Sequence, residues 1–315
     1  MRFILFISLV IHAMFSSGQS ISKLKDDDEV FEFVNQAFNK YLRSANLDSS
    51  YYRHYKKTPL DTIIKYYGCS DIVSAWKIKQ WEKPDFNNDG FADLFVLINE
   101  GVFRPSFNAF VFINIDDTAY KPAPLDLNVT CLAYYPFKIG EQQLLISHKM
   151  ETLVSFDTSS GNTIGTQLPR QDTLIYKFDH FIEYNTDSIC PAIQSVSFSN
   201  SSCWIPCPQY KITIDKSKNI TLDGYDHSVL RGHYKSIITE KKFREIFDLL
   251  KYINPKKLKE RYGETGTDGQ TLYLEIKFTD GTIKEIKGEG WGGTIALRMI
   301  YHCFEEIYKT QNWYK

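Results

Sequence analysis

The sequence predicts an α+β chain, with N-terminal helices plus an antiparallel β domain, followed by an α+β sandwich with two helices on an antiparallel sheet. Three observations carry that prediction. Apolar residues Val30, Phe31, Val34, Ala37, Phe38, Tyr41 and Leu42 recur at helical spacing behind the acidic run Asp26 to Glu29. From Ile72 to Tyr184 the helical period vanishes, and short alternating or β-branched runs replace it. After Pro191 the order becomes several strands, a helix, two strands and a helix.

The first element is a leader. Met1-Arg2 gives a positive start, Phe3 to Met14 an apolar run, and Ser16-Ser17-Gly18 the small residues that precede a cut. That is the order of a secretory signal peptide, so the mature chain is expected to begin near Gln19 and to be periplasmic or secreted. The apolar run is too short to span a bilayer and no other stretch approaches the necessary length, so a membrane-spanning chain is not expected. No cysteine precedes Cys69, which excludes a lipid-modified N-terminal cysteine. The expected organisation is a signal peptide at 1–18 and domains at 19–190 and 191–315.

The first helix starts at Asp26 to Glu29, where negative charge favours a helix N-terminus. Thr58-Pro59-Leu60-Asp61 reads as a cap with proline at the first helical position, and Gly68 ends that short helix. Val73 to Trp81 is short and rich in Trp, Ile and Val and reads as a strand. So do Leu94 to Ile98, Ala109 to Ile115, Gln143 to Ser147, Thr152 to Phe156 and Leu174 to Phe178. The region closes near Asn185-Thr186-Asp187.

In the second domain Ile193 to Phe198, Tyr210 to Ile214, Ile220 to Leu222 and Val229 to Ile238 read as strands. Thr239 caps a helix that aligns Phe243, Ile246, Phe247 and Leu250 on one face. Thr271 to Phe278 and Thr282 to Lys287 form a hairpin about Asp280-Gly281. A last helix carries Leu297, Ile300, Tyr301, Phe304 and Tyr308.

Composition narrows the partners. With 37 basic and 38 acidic residues and a net charge of -1, there is no electrostatic footprint for nucleic acid or an anionic membrane surface. The abundance of aromatic residues, with 22 Phe and 20 Tyr, suits β-rich cores and partly exposed aromatic faces. An envelope or extracellular partner of unspecified chemistry is the class that remains.

One stretch points to a ligand. In Asp85-Phe86-Asn87-Asn88-Asp89-Gly90-Phe91-Ala92-Asp93, oxygen-bearing side chains fall at loop positions 1, 3, 5 and 9, with glycine at position 6. Phe91, at position 7, can add its backbone carbonyl. A hard cation such as Ca²⁺ takes six to eight oxygens, and alternate residues of a tight loop bring them to one point. Asp85, Asn87, Asp89, Phe91 and Asp93 are therefore the expected ligands of one calcium ion. Position 12 is Val96, so the bidentate glutamate of a helix–loop–helix site is missing, and the loop runs into a strand. The layout of strand, Asp-rich loop and strand resembles the loops of FG-GAP and VCBS-type repeats of secreted bacterial proteins. Those families repeat the loop in every blade, and this chain has it once, which argues against a propeller. The alternative is an Asp-Gly turn whose side chains serve the local backbone. That reading accounts for the glycine but not for four spaced oxygens.

Six cysteines in an exported chain favour disulfides. Cys203 and Cys207, in Cys203-Trp204-Ile205-Pro206-Cys207-Pro208, are the best-placed pair. A bond closing so short a loop stabilises by about 2 kcal/mol on the chain-entropy model, so it sets loop shape more than stability. Free thiols, a zinc half-site or a redox pair remain as alternatives. No second Cys/His pair shows metal spacing, however, and three residues separate the cysteines where a thioredoxin pair has two.

The same string carries a second resemblance. Ser195-Val196-Ser197-Phe198, Cys203-x-x-x-Cys207-Pro208-x-Tyr210, the helix from Thr239 to Leu250, Thr267-Asp268 before a strand, and Gly292-Gly293 before the last helix resemble the domain of unknown function 6438. The resemblance covers about residues 192 to 310. It implies an α+β domain outside the cytoplasm and no assigned reaction.

No nucleophile elbow, phosphate loop, zinc-protease or dinucleotide pattern is present. Gly288 to Thr294 reads as a tight strand-to-helix turn more readily than as an anion cradle. His227 and His233 flank a strand at spacing that puts them on one face. Asp116-Asp117 marks a turn, with a second cation contact as its alternative. The expectation is a non-enzymatic, calcium-stabilised binding or scaffold protein. The alternative is an envelope hydrolase whose site assembles around His227 and His233.

Overall fold

The computed structural model describes residues 15–16, 20–44, 60, 70–99, 107–117, 119–125, 133–157, 162–187, 189–201, 207–263 and 270–315. Most of the expected signal peptide, most of the Thr58-to-Gly68 helix, Cys203 and Thr267-Asp268 lie outside the described residues. The chain divides into two units, 1–184 and 185–315, and both mix helix with antiparallel sheet, strand predominating.

In the first unit, helix α1 (Asp27–Ser44) follows a built start: Asp26 Oδ1 accepts from Glu29 N at 3.0 Å, and Glu29 Oε2 accepts from Lys25 N at 2.7 Å. Strands β1 (Phe15–Ser16), β2 (Trp81–Glu82), β3 (Leu94–Asn99), β4 (Phe107–Asn114) and β5 (Ala119–Pro124) form an antiparallel sheet in the order β1-β5-β4-β3-β2. Strand β1 falls within the segment expected to be cleaved; its loss would leave β5 as the edge. Val30, Phe33, Val34 and Ala37 of α1 share a core with Leu94, Val96, Ile98, Phe110, Phe112 and Tyr120. Phe33 meets Phe112 edge-on at 5.6 Å and Tyr120 at 4.9 Å.

The stretch expected to be a strand from Val73 divides differently. Helix α2 spans Ser70–Trp76, and β2 begins only at Trp81. The β-branched Ile72 and Val73 suggest a strand, but the chain closes a helical end here. Lys77 takes a left-handed φ of 51°, Lys77 N bonds Ser74 O at 3.2 Å and Ile78 N bonds Val73 O at 3.1 Å. That pair of bonds is the Schellman termination.

A second sheet follows as a meander of β6 (Ala133–Ile139), β7 (Gln142–Asp157), β8 (Asn162–Lys177) and β9 (His180–Glu183). The two runs expected at Gln143 and Thr152 are one continuous strand, β7. Its register with β8 is unbroken from Leu145↔Leu174 to Asp157↔Asn162.

The second unit holds β10 (Ile193–Asn200), β11 (Tyr210–Asp215), β12 (Asn219–Gly224), β13 (Gly232–Ile237), β14 (Arg261–Tyr262), β15 (Thr271–Phe278) and β16 (Ile283–Glu289). They form one sheet in the order β13-β12-β11-β10-β15-β16-β14, antiparallel except for the β14–β16 pair. Helices α3 (Glu240–Ile253) and α4 (Ile295–Thr310) start at Thr239 and Thr294, whose hydroxyls accept from Lys242 N and Leu297 N. The apolar residues of β10 to β12 alternate with polar ones; Phe198 packs on Phe304 with rings stacked at 5.3 Å, and Tyr210 stacks on Tyr308 at 4.1 Å. The helices therefore cover one face, as the sandwich prediction requires. Gly224 is sterically required where the next loop returns: a Cβ there would lie 1.6 Å from Leu230 O.

Candidate functional site

The Asp-rich loop joins β2 to β3, and its conformation follows from its own side chains. Asn88 and Gly90 take φ of 55° and 90°, the left-handed region that Asn and Gly enter at least cost. Asp85 accepts from Asp89 N at 3.2 Å and Gly90 N at 3.0 Å, using one oxygen for each. Asn87 Oδ1 accepts from Asp89 N at 3.3 Å, and Asp89 Oδ1 accepts from Phe91 N at 2.8 Å. Asn87 Nδ2 donates to Asp89 Oδ2 at 2.7 Å. The loop closes where Asp93 N donates to Pro84 O at 2.6 Å.

Asp93 lies beneath the loop and is completely buried. Its Oδ2 accepts from Phe86 N at 2.6 Å and its Oδ1 from Asn114 N at 2.7 Å, which ties the loop to the end of β4. Burial pushes this carboxyl up to about 7, the two amide donors oppose the rise, and the charges of Asp85 and Asp89 add to it. None of these three carboxylates is paired with a cationic side chain among the described residues.

Asn114, which no motif marks, is the anchor on the other side. It is buried; its Nδ2 donates to Ala92 O at 3.1 Å, and its Oδ1 accepts from Asp117 N at 2.8 Å. Asn87 Nδ2 reaches its carbonyl at 3.4 Å. Asp116 and Asp117 serve the turn itself: Asp116 accepts from Ala119 N, and Asp117 accepts from the Ser20 hydroxyl, which holds its carboxyl below the usual range. The second sheet reaches the loop as well. Phe86 is buried edge-on against Phe181 of β9 at 4.9 Å, and Tyr176 of β8 packs on Phe181.

The donor chemistry fits a hard cation. Every polar side chain of the loop offers oxygen, and each carboxylate oxygen bonded to an amide retains a second lone-pair direction. Asp85, Asn87 and Asp89 are drawn together by their mutual bonds, while Asp93 stands below them. Among the described residues, no group of three His, Cys, Asp or Glu side chains is gathered tightly enough to hold a metal ion. A cation would therefore have to draw Asp85 and Asp89 toward Asp93.

The two histidines do not share a strand face. His227 occupies a turn with φ of 58°, and β13 begins only at Gly232. His233 Nδ1 lies 2.7 Å from Asp223 Oδ1, with both side chains substantially exposed on the two outermost strands of that edge. Trp291, in the turn before α4, stacks on His302 at 4.7 Å and meets the buried Tyr301 ring edge-on at 6.4 Å. Cys207 Sγ accepts from Gln270 Nε2 at 3.3 Å. Cys190 and Cys303 are free thiols; Cys303 is buried and donates to Glu245 Oε1 at 3.4 Å, and burial holds its titration far above the usual thiol range.

No helix of the described residues is long and apolar enough to cross a membrane. Two solved structures of fructofuranosidase from Schwanniomyces occidentalis, a variant complexed with fructosylnystose and a form complexed with fructose, align with this chain at 9% identity. The alignments cover 68% and 66% of this chain and 53% and 52% of theirs, with TM-scores of 0.17 and 0.16. The chain thus spans about half the length of those structures, and likeness at that level assigns neither fold nor activity. No curated protein matches the sequence. Within the second unit, residues 194–308, from β10 to near the end of α4, match the family described as domain of unknown function (DUF6438).

Proposed function

We propose that this is an exported, non-enzymatic binding or scaffold protein of a bacterial envelope whose first unit is stabilised by one calcium ion. The observation that carries the calcium reading is Asp93: a fully buried carboxylate, with Asp85 and Asp89 close enough to raise its pKa and no cationic side chain to offset them. Asp85, Asn87, Asp89 and Asp93 would hold the ion through side-chain oxygens and Phe91 through its carbonyl. Bound there, a divalent cation supplies the missing positive charge. The residues then act mechanically: Asp93 joins β3 to the end of β4, and Phe86 holds the β8–β9 hairpin against the loop.

The hydrolase alternative draws on the His233–Asp223 pair. A general base benefits from such a partner, but this pair stands on an exposed sheet edge, and His227 points from a separate turn. The binding reading therefore has the stronger support.

Thermal melting in chelator and in millimolar calcium tests it. Binding to the folded state alone raises stability by about 2.7 kcal/mol when calcium stands at a hundredfold Kd. The melting point is expected to rise with calcium in wild type and to stay fixed in Asp89→Ala. Equal wild-type melting points in both buffers would reduce the loop to a turn.

A further inference from the structure

One histidine of the first unit is buried with nothing to bond. His148 lies on β7, opposite Ala133 of β6 and Gln171 of β8, and is 3% exposed. Among the described residues neither its Nδ1 nor its Nε2 has a hydrogen-bond partner. A neutral imidazole carries one donor and one acceptor, and leaving both unmet in the interior costs stability that an apolar ring at the same place would not. Packing alone therefore does not account for a histidine here. We propose that His148 is an acid sensor whose protonation releases α2 from the second sheet.

The element it would release is held by little else. Helix α2 has seven residues, too few to persist in water without packing. Asp71, Ser74 and Ala75 are exposed, and Trp76 makes the ring contacts with this sheet. It meets His148 edge-on at 6.0 Å and Tyr135 of β6 at 6.2 Å. A charge formed on His148 must be solvated or offset by a countercharge, and solvation requires that the contact open.

No countercharge faces it among the described residues. Alternation puts Ile146 and Met150 of β7, Ala133 and Tyr135 of β6, and Gln171 and Thr173 of β8 on the His148 face. Lys149, Arg170 and Asp172 project from the other face, and Lys177 stands at the far end of β8. On α2, Asp71 is set about 140° around the helix from Trp76, and Lys77, beyond the helix end, is exposed. The titratable side chain nearest on that face is the phenol of Tyr135, not a carboxylate. Burial accordingly holds His148 below its ordinary value of 6.5. With the folded value below the unfolded one, the contact is complete above pH 6.5 and weakens as pH falls below it. The ratio of seated to released α2 drops by at most about tenfold per pH unit.

The test is fluorine NMR of the full chain labelled with 5-fluorotryptophan, followed from pH 8 to pH 5, with Trp76 assigned by Trp76→Phe. Below pH 6.5 the Trp76 signal is expected to move to a solvent-exposed position and to return on neutralisation, while those of Trp81 and Trp291 stay. His148→Phe keeps an aromatic contact and His148→Gln a polar side chain, and neither titrates; in both, Trp76 should stay seated throughout. Asp93 titrates in all three proteins, so a Trp76 transition that persists in both variants belongs elsewhere and overturns the sensor. A wild-type Trp76 signal unchanged down to pH 5 does the same. Trp81 and Trp291 moving together with Trp76 would mark global unfolding and overturn a release confined to α2. Trp76 already released at pH 8 in both variants would make His148 a packing residue and overturn the proposal too.

Discussion

Asp93 makes the stability of the metal-free protein depend on pH in a direction opposite to that of an ordinary salt-bridged aspartate. Its carboxyl titrates at 3.8 when unfolded and near 7 when folded, because burial disfavours the charge and Asp85 and Asp89 repel it. A folded-state pKa raised above the unfolded one gives stability that is complete below the unfolded value and is lost as pH rises through the folded value. The interval from 3.8 to about 7 corresponds to about 4 kcal/mol, of which about 3 kcal/mol falls between pH 5 and pH 8. The perturbation is Asp93→Asn, which removes the titrating group and keeps the shape. Its amide can accept from only one of the two donors, Phe86 N and Asn114 N, so it should lose about 1–3 kcal/mol at pH 5. In urea titrations with chelator at pH 5, 6, 7 and 8, the wild-type free energy of unfolding should fall relative to that of the variant. The two curves should converge or cross by pH 8, while titrations shared by both proteins cancel in the difference. Saturating calcium should flatten the wild-type curve, because the ion holds Asp93 ionised. Parallel wild-type and variant curves in chelator would refute the claim that Asp93 is buried without a countercharge.

Phe198→Ala should destabilise the second unit by about 3–5 kcal/mol, since the ring is buried against Phe304, Tyr301 and Tyr210; calorimetry of the purified chain measures it. Thr239→Ala should cost about 1 kcal/mol by leaving Lys242 N without its cap, read from the same unfolding transition. Cys203 and Cys207 should be found linked by mass spectrometry without reductant, and alkylation of both thiols in the folded protein would count against that pair. Intact mass of the exported protein should show a chain beginning near Gln19, whereas a retained Met1 in a membrane fraction would contradict the leader reading.

The sequence disclosed those parts of the fold whose signals are local and redundant. Helix α1 has both an acidic start and an apolar stripe, and the structure adds the Asp26–Glu29 bonds that make the start specific. Helix α3 begins at the Thr239 that the sequence marks, and the β15–β16 hairpin turns at Asp280-Gly281. Where signals conflicted, the tertiary context decided. Ile72 and Val73 favour a strand, yet they lie in α2, because Lys77 can close a helix with a left-handed residue that no residue type announces. The Val229 strand shortened to Gly232–Ile237 because Ser228 is held by the Tyr308 hydroxyl at 2.8 Å, a contact across 80 positions of chain.

The same division runs through the candidate site. The spacing of Asp85, Asn87, Asp89 and Asp93 was legible because a tight loop needs its ligands close in sequence, and each does bond within or beneath that loop. What spacing could not show is the difference in roles. Asp85, half-buried, and Asp89, exposed, serve amides a few residues away, whereas Asp93 reaches 21 residues to Asn114 and carries the buried charge. Alternation along β3 explains why: Asp93 directly precedes Leu94, whose side chain packs toward α1, so Asp93 turns to the other face, under the loop. Substituting Asp89 should therefore affect cation affinity with little change in the metal-free fold, while substituting Asp93 changes both. That asymmetry separates a calcium site from a turn decorated with acidic residues: in a plain turn, calcium would leave the stability of wild type, Asp89→Ala and Asp93→Asn unchanged.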